Sequence, residues 1–220
     1  MCPLTAPKAT SFSAFIERVE ELHHAGDTVI DTLGGSEAFL QSMADGMERA
    51  KLGIYDVLAP SDNLRLPKEH DARSLCGNYR WFFHFHSEVA KSERLGGHFH
   101  LFTAPRYFND APDVGLSHLI SVELDNTGDL EGFFVPNRWV TDEYIRPASD
   151  LIGALKDFSG TEKTPALIVS YWLEALVQLF QSEIKTLLME RDRFLVKMND
   201  TSRAHYLENR AFDRICEWRL

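Results

Sequence analysis

The sequence predicts an α+β fold, a central antiparallel β-meander of about four strands packed with helices from both termini. Three observations predict it. Segments of helical period lie before and after the middle of the chain. The middle itself, from Tyr79 to Val135, is a series of short aromatic and aliphatic runs broken by turn residues. Those runs follow one another with no helical segment between them, which disfavours a parallel sheet.

Residues 1–10 read as a disordered lead-in, leaving 11–220 as a single α+β domain. From Phe12 to Ala25 the apolar positions Phe12, Phe15, Ile16, Val19 and Leu22 make a helical stripe, with Gly26 as its stop. Gly34-Gly35 resets the chain, and Ser36 is the expected N-cap of a second helix from Glu37 to about Leu52. Leu58 to Ser74 has two prolines, several charges and no period. It is long for a structureless connection, so a lid or an edge covering is expected there.

Four strands are expected next. The first two flank the polar stretch Ser87 to Gly97. Leu116 to Leu124 alternates, with Leu116, His118, Ile120, Val122 and Leu124 assigned to one side. Asp125-Asn126-Thr127-Gly128-Asp129 is a turn, and Leu130 to Val135 returns. Beyond the sheet, Thr141 is expected to cap a helical turn, and Pro147 to open a helix closed by Gly160. Thr164-Pro165 is an N-cap and N1 pair for the longest helix, running through Leu188 toward Met198. That helix is apolar nearly all round, apart from Ser170, Glu174, Gln178 and Ser182 at four-residue spacing, either a solvent strip or a line facing a pocket. The tail, Ser202 to Leu220, reads as a last helix.

With 220 residues, 44% of them hydrophobic and 25% charged, the chain is long enough to bury a core without covalent staples. Its net charge of −10 excludes nucleic acid as a main partner, because phosphate binding needs a basic surface. Cys2, Cys76 and Cys216 are few, odd in number and widely spaced, which fits a reducing cytoplasm rather than a disulfide framework. The first residues lack the basic and apolar regions of a secretory signal, and no apolar run is long enough to span a bilayer.

The chemistry concentrates between Tyr79 and Thr103. Four of the nine histidines stand there as two His-Phe-His triplets, His84-Phe85-His86 and His98-Phe99-His100. Alternate side chains of a strand share a face, so each pair of histidines points one way. Pairing His86 with His98 sets His84 against His100 and puts four imidazoles on one face, with directly opposed Cβ atoms about 4.5–5.5 Å apart. Phe83, Phe85, Phe99 and Leu101 fill the other face, so both faces are expected to be covered. A one-residue slip would separate the triplets. A single histidine on an apolar face is more often hydrogen-bonded to the backbone than a ligand, but four together need partners, and a metal ion is one.

Imidazole ligands suit iron or zinc better than calcium or magnesium. The expected metal ligands are His86, His98, His100 and His118, with His84 and Glu88 as candidate acid–base residues and Glu123 or Glu174 as further carboxylates. His86-Ser87-Glu88 has the spacing of the iron facial triad, though that family's third ligand lies farther along the chain. A second cupin motif is missing, and Asp110 does not fit the JAMM metalloprotease pattern. There is no phosphate loop and no Gly-x-Ser-x-Gly elbow. Arg138, beside Trp139, is a candidate for holding a substrate carboxylate or phosphate, against the commoner salt-bridge role.

Gly97-His98-Phe99-His100-Leu101-Phe102, then Ser117-His118-Leu119-Ile120, then Asn137-Arg138-Trp139-Val140-Thr141, resemble a family of uncharacterised bacterial proteins, a domain of unknown function with these motifs in this order. The likeness covers residues 79–141, with a fainter echo from Glu208 to Glu217. It implies bacterial origin and the clustered histidines, and no established activity. In that family an acidic residue and a histidine often precede the position of Gly97. Leu95-Gly96 stand there in this chain, so a role for that pair does not carry over.

Two function classes remain. One is a small metalloenzyme, an oxygenase or a hydrolase, acting on a small molecule. The other is a metal-free binding or interaction protein with a hydrogen-bonded histidine pocket. The sequence is silent on oligomeric state.

Overall fold

The structure, a computed structural model, describes residues 12–58, 72–73, 78–85, 96–110, 114–159 and 167–220. Four helices come first: α1 (Phe12–Ala25), α2 (Val29–Thr32), α3 (Ser36–Ala50) and α4 (Ile54–Leu58). The meander follows as β1 (Ala72–Arg73), β2 (Tyr79–Phe85), β3 (Gly97–Thr103), β4 (Ser117–Leu124) and β5 (Leu130–Pro136). Then come α5 (Arg138–Thr141), α6 (Ala148–Lys156), α7 (Leu167–Leu179), α8 (Gln181–Val196), α9 (Asp200–Leu207) and a final strand, β6 (Arg214–Arg219). The sheet is six-stranded, antiparallel at every pairing, and runs in sequence order. The fold is α+β, and the four expected strands are its centre. The lead-in, residues 1–10, lies outside the described residues.

One face of the sheet makes the core. Trp81, Phe99, Leu101, Ile120, Val122 and Phe133 are almost fully buried and share one cluster with apolar residues of the helices. Phe99 packs against Trp172 of α7, with ring centroids 5.7 Å apart, and Phe133 against Phe180 at 5.3 Å. Burying a side chain of that size contributes roughly 1.5–3 kcal/mol. Polar groups that cross this layer are paired: Trp81 Nε1 donates to Ser170 Oγ (3.1 Å), and the Tyr79 hydroxyl donates to the carbonyl of Ala154 (2.9 Å). The polar stripe of α7 therefore joins elements. Ser170 meets the sheet, and the Ser36 hydroxyl donates to Gln178 Oε1 at 2.6 Å. No helix among the described residues is long and apolar enough to cross a membrane.

Several details differ from the sequence expectation. The β2–β3 register pairs His84 with His98 and Phe82 with His100, a shift of two residues from the expected pairing of His86 with His98. A two-residue shift keeps strand parity, so the histidine positions still share a face. Gly96 and Gly97 help to set it. A Cβ at Gly96 would lie 2.1 Å from the carbonyl oxygen of Leu124, and one at Gly97 would lie 2.1 Å from the Phe83 ring.

In β4 the alternation is broken. Leu101 pairs with Ile120 but Phe102 pairs with His118, so Leu119 is an extra residue, a β-bulge. The bulge puts His118 on the opposite face from Ile120 and Val122. The single long helix expected from Thr164 is two, α7 and α8, joined at Phe180; Thr164, Pro165 and Gly160 lie outside the described residues. The tail is a short helix and an edge strand. Within the stretch expected as a loop, Ala72 and Arg73 pair with Trp81 and Arg80 and cover the edge of β2.

Candidate functional site

The face of the sheet away from the core holds a second buried cluster, built on histidine. His98 is 5% exposed, His100 1% and His118 1%. The strands β3 and β4 carry all three, and aromatic rings close around them. Phe82 lies 5.0 Å from His100, Phe134 5.1 Å from His98, and Phe102 5.0 Å from His118, centroid to centroid.

The three imidazoles stand in a line. His98 Nε2 and His100 Nε2 are 2.9 Å apart, and His100 Nδ1 is 3.1 Å from His118 Nε2. Ser121 Oγ, fully buried, sits in the second gap, 2.9 Å from His100 Nδ1 and 3.1 Å from His118 Nε2. His100 is thus the middle link and uses both ring nitrogens. At the far end His118 Nδ1 is buried and meets no hydrogen-bond partner among the described residues. Nor do three His, Cys, Asp or Glu side chains among the described residues converge as a metal-holding group.

Charge surrounds the line at both ends. Beside His98, Glu123 accepts from Arg214 at 2.5 and 2.8 Å and pairs with Arg219 at 3.1 Å, and the Arg214 guanidinium stacks 4.0 Å over Phe134. At the other end the backbone N–H of His118 donates to Glu143 Oε2 at 2.9 Å. Burial pushes the Glu143 carboxyl up to about 7, against the opposing pull of that N–H, of Arg191, of the Thr141 hydroxyl and of Arg138. Burial, then the neighbouring Arg191 and His98, holds the His118 imidazole well below its ordinary range.

Of the residues singled out by sequence, His98, His100 and His118 are brought together. His84 stands opposite His98 in the register. His86 and Glu88 lie outside the described residues. Arg138 forms an ion pair with Glu208 and also acts on the Glu143 carboxyl. Glu174 interacts with Gln178 on the helical side of the sheet, 3.5 Å away, and is not at the histidine line. Two residues escaped the sequence reading. Ser121 shares the histidine face with His118 only because of the bulge at Leu119, and strict alternation separates the two. Glu143 lies in the connection after α5, where no periodicity signals burial. Its one sequence cue is an acid two residues after Thr141.

Residues 60–220 match the model of a family described as a domain of unknown function, DUF6969. The matched span takes in the whole sheet, the histidine line and every element through β6; α1 to α4 precede it. No curated protein and no solved structure matches the chain.

Proposed function

The chain belongs to the DUF6969 family, and we propose that it binds a first-row transition metal ion, iron or zinc, at the Nε2 atoms of His98 and His100. The 2.9 Å between those two nitrogens carries the proposal. It is the separation of two imidazole nitrogens each about 2.0–2.1 Å from one ion and at about a right angle around it, an angle that suits six-coordinate iron and is narrower than that of tetrahedral zinc. Behind His100, Ser121 and His118 engage Nδ1, the contact that metal-bound histidines make with their second nitrogen. A site needs three or four protein ligands. The remaining ligands proposed are His84, which stands opposite His98 in the register, and His86, with Glu88 as ligand or base. His118 faces the other side of the His100 ring and is given a supporting place.

The proposed activity is that of a small metalloenzyme, oxidative or hydrolytic, acting on a small molecule. Its proposed setting is the reducing cytoplasm, away from nucleic acid and membrane, in keeping with three scattered cysteines and a net charge of −10.

A metal-free histidine pocket is the second reading. It is favoured by the engagement of both His100 nitrogens within the protein, and by the orphaned Nδ1 of His118. Freeing His100 Nε2 for a metal leaves a buried N–H unpaired at His118, at a cost of about 1–3 kcal/mol. Metal binding at structural zinc sites supplies about 10–16 kcal/mol. The metal outweighs the orphan wherever enough ligands are present.

Elemental analysis of protein purified without a His-tag decides between the two. Under the metal reading, wild-type protein carries iron or zinc, and the double variant His98→Ala, His100→Ala loses it while keeping its circular dichroism, because the core face is untouched. A wild type that holds no metal under aerobic or anaerobic preparation leaves the metal-free pocket.

A further inference from the structure

We propose that the outer edge of β6, with α8 running beside it, is a docking site for an extended, lysine- or arginine-rich segment of a partner protein, which adds to the sheet as a further strand. β5 separates this edge from β4 and the histidine line, and the docking needs no metal.

The backbone comes first. β6 ends the sheet order and pairs with β5 on one side. In an antiparallel pair alternate residues bond to the neighbouring strand and the others point away from it. The Leu220 N–H donates to the Glu131 carbonyl at 3.0 Å, which sets the phase. Cys216 and Trp218 therefore bond to Val135 and Phe133, and the N–H and C=O groups of Glu217 and Arg219 point outward. Those outward groups meet no partner among the described residues, and both residues are exposed. Strand edges are normally shortened, bulged or covered, because an open one templates pairing with another chain. The register shift at Ile215 shortens this edge and leaves the stretch after it open.

Beside the open stretch lies a groove of about 210 Å³ between α8 and β6. Cys216 Sγ donates to the Leu187 carbonyl at 3.4 Å, and the Trp218 ring lies 5.7 Å from that of Phe180 just before α8, so helix and strand run alongside each other. Leu187 and Trp218 give the groove its apolar lining, and Glu217 lines it from the edge itself. Glu183 and Glu190 line it from α8, about 10 Å apart by the rise of the helix. Neither is ion-paired among the described residues, whereas the Glu217 carboxylate is taken by Arg214 and Arg219. Burial, then the Glu190 charge, pushes the Cys216 thiol up to about 12, which fits a carboxylate turned toward the strand.

These features select the occupant. An added strand turns every second side chain toward α8, about 6.6–6.8 Å apart. A lysine or arginine in those places lays its stem on Leu187 and Trp218, gains a cation–π contact with the indole, and reaches Glu183 or Glu190 with its head. A neutral or acidic segment leaves both carboxylates unmatched. A second copy of this chain fits less well, because its net charge is −10 and pairing β6 with β6 would bring two acidic grooves together.

The test uses the full-length protein and a fluorescein-labelled peptide of about eight residues that alternates lysine with valine. Binding is read by anisotropy at about 0.15 M salt, where loose surface attraction is screened. The peptide is expected to bind, and at saturation amide exchange is expected to slow at Glu217 and Arg219 and to stay as it was at Cys216 and Trp218, which β5 already protects. The double variant Glu183→Lys, Glu190→Lys, changed only at the helix surface, is expected to bind more weakly by about tenfold or more. N-methylation of one alternate set of peptide residues is expected to abolish binding and of the other set to leave it, because only one set faces β6. A peptide that does not bind, exchange unmoved at Glu217 and Arg219, undiminished binding by the double variant, or equal effects of the two methylated peptides overturns the proposal. So does a wild-type dimer that the peptide dissociates, which makes a second copy the occupant of the edge.

Discussion

Arg138 is held by an ion pair to Glu208, which ties the exit of β5 to the turn that delivers β6. The neighbours of Arg138 complete the tie. Asn137 is fully buried; its Nδ2 donates to the carbonyls of Tyr206 (2.9 Å) and Phe212 (3.0 Å), and its Oδ1 caps α5 by accepting from Arg138 N (2.9 Å). Trp139 Nε1 donates to the Phe212 carbonyl at 2.7 Å. The Asn-Arg-Trp motif and the distant segment around Glu208 are thus one clamp.

Asn137→Ala removes three hydrogen bonds, while the Phe212 carbonyl keeps the Trp139 donor and the Tyr206 carbonyl keeps the Asn209 N–H. The expected loss is about 2–4 kcal/mol, read as a lower urea midpoint with unchanged slope. Arg138→Ala breaks a partly exposed pair and is expected to cost under about 1 kcal/mol. A larger loss for Arg138→Ala than for Asn137→Ala would contradict this ordering.

Two glycines give a second ordering. A Cβ at Gly97 meets the Phe83 ring at 2.1 Å, and one at Gly132 meets the carbonyl oxygen of Trp218 at 2.1 Å. A ring can turn, whereas the backbone of a paired strand has to move bodily. Gly97→Ala is expected to cost about 1–3 kcal/mol and Gly132→Ala more, with β6 loosened. Thermal unfolding ranks the two, and hydrogen exchange in β6 shows whether the strand has parted.

Glu143 makes stability depend on pH. Its folded carboxyl titrates at about 7, against an ordinary value of 4.5. Below the ordinary value both folded and unfolded chains hold the proton, and nothing is lost. As pH rises toward 7 the unfolded chain releases the proton and the folded chain keeps it, so stability falls by up to about 3 kcal/mol. Glu143→Gln holds no titrating proton. The difference in unfolding free energy between wild type and Glu143→Gln is expected to shift against wild type by that amount between pH 5 and pH 7.5. A difference that stays flat with pH rejects the assignment.

Binding to DNA or RNA is expected to be absent at about 0.15 M salt, since an acidic chain has few cations with which to release counterions. Filter retention that falls steeply with salt would contradict it.

What the sequence made legible were the locally periodic elements. The helix over Phe12 to Ala25 and all four central strands lie within a residue of their expected bounds. Parity alone assigned His98 and His100 to one face, and parity survives a two-residue slip. The register itself was not legible, because it depends on how Gly96 and Gly97 approach Leu124 and Phe83 across the sheet. The strand Arg214–Arg219 carries no clear strand signature because its apolar Ile215, Cys216 and Trp218 do not alternate cleanly; Ile215 is itself the extra residue at a register shift. Ser121 and Glu143 were missed for a related reason. One is brought in by a bulge and the other by the path of a loop, and neither leaves a periodic trace.

The bulge at Leu119 makes the site depend on the path of the backbone as well as on side-chain chemistry. With the same residues paired in strict alternation, His118, two positions from Ile120, would share the Ile120 face, inside the hydrocarbon layer under the helices, and would part from Ser121. Deleting Leu119 outright has no such effect, because it sets His118 directly before Ile120 and so leaves it opposite Phe102 on the histidine face. For this stretch of the protein, a frame-preserving three-nucleotide loss at Leu119 keeps the parity of the line, whereas straightening the full-length strand destroys it.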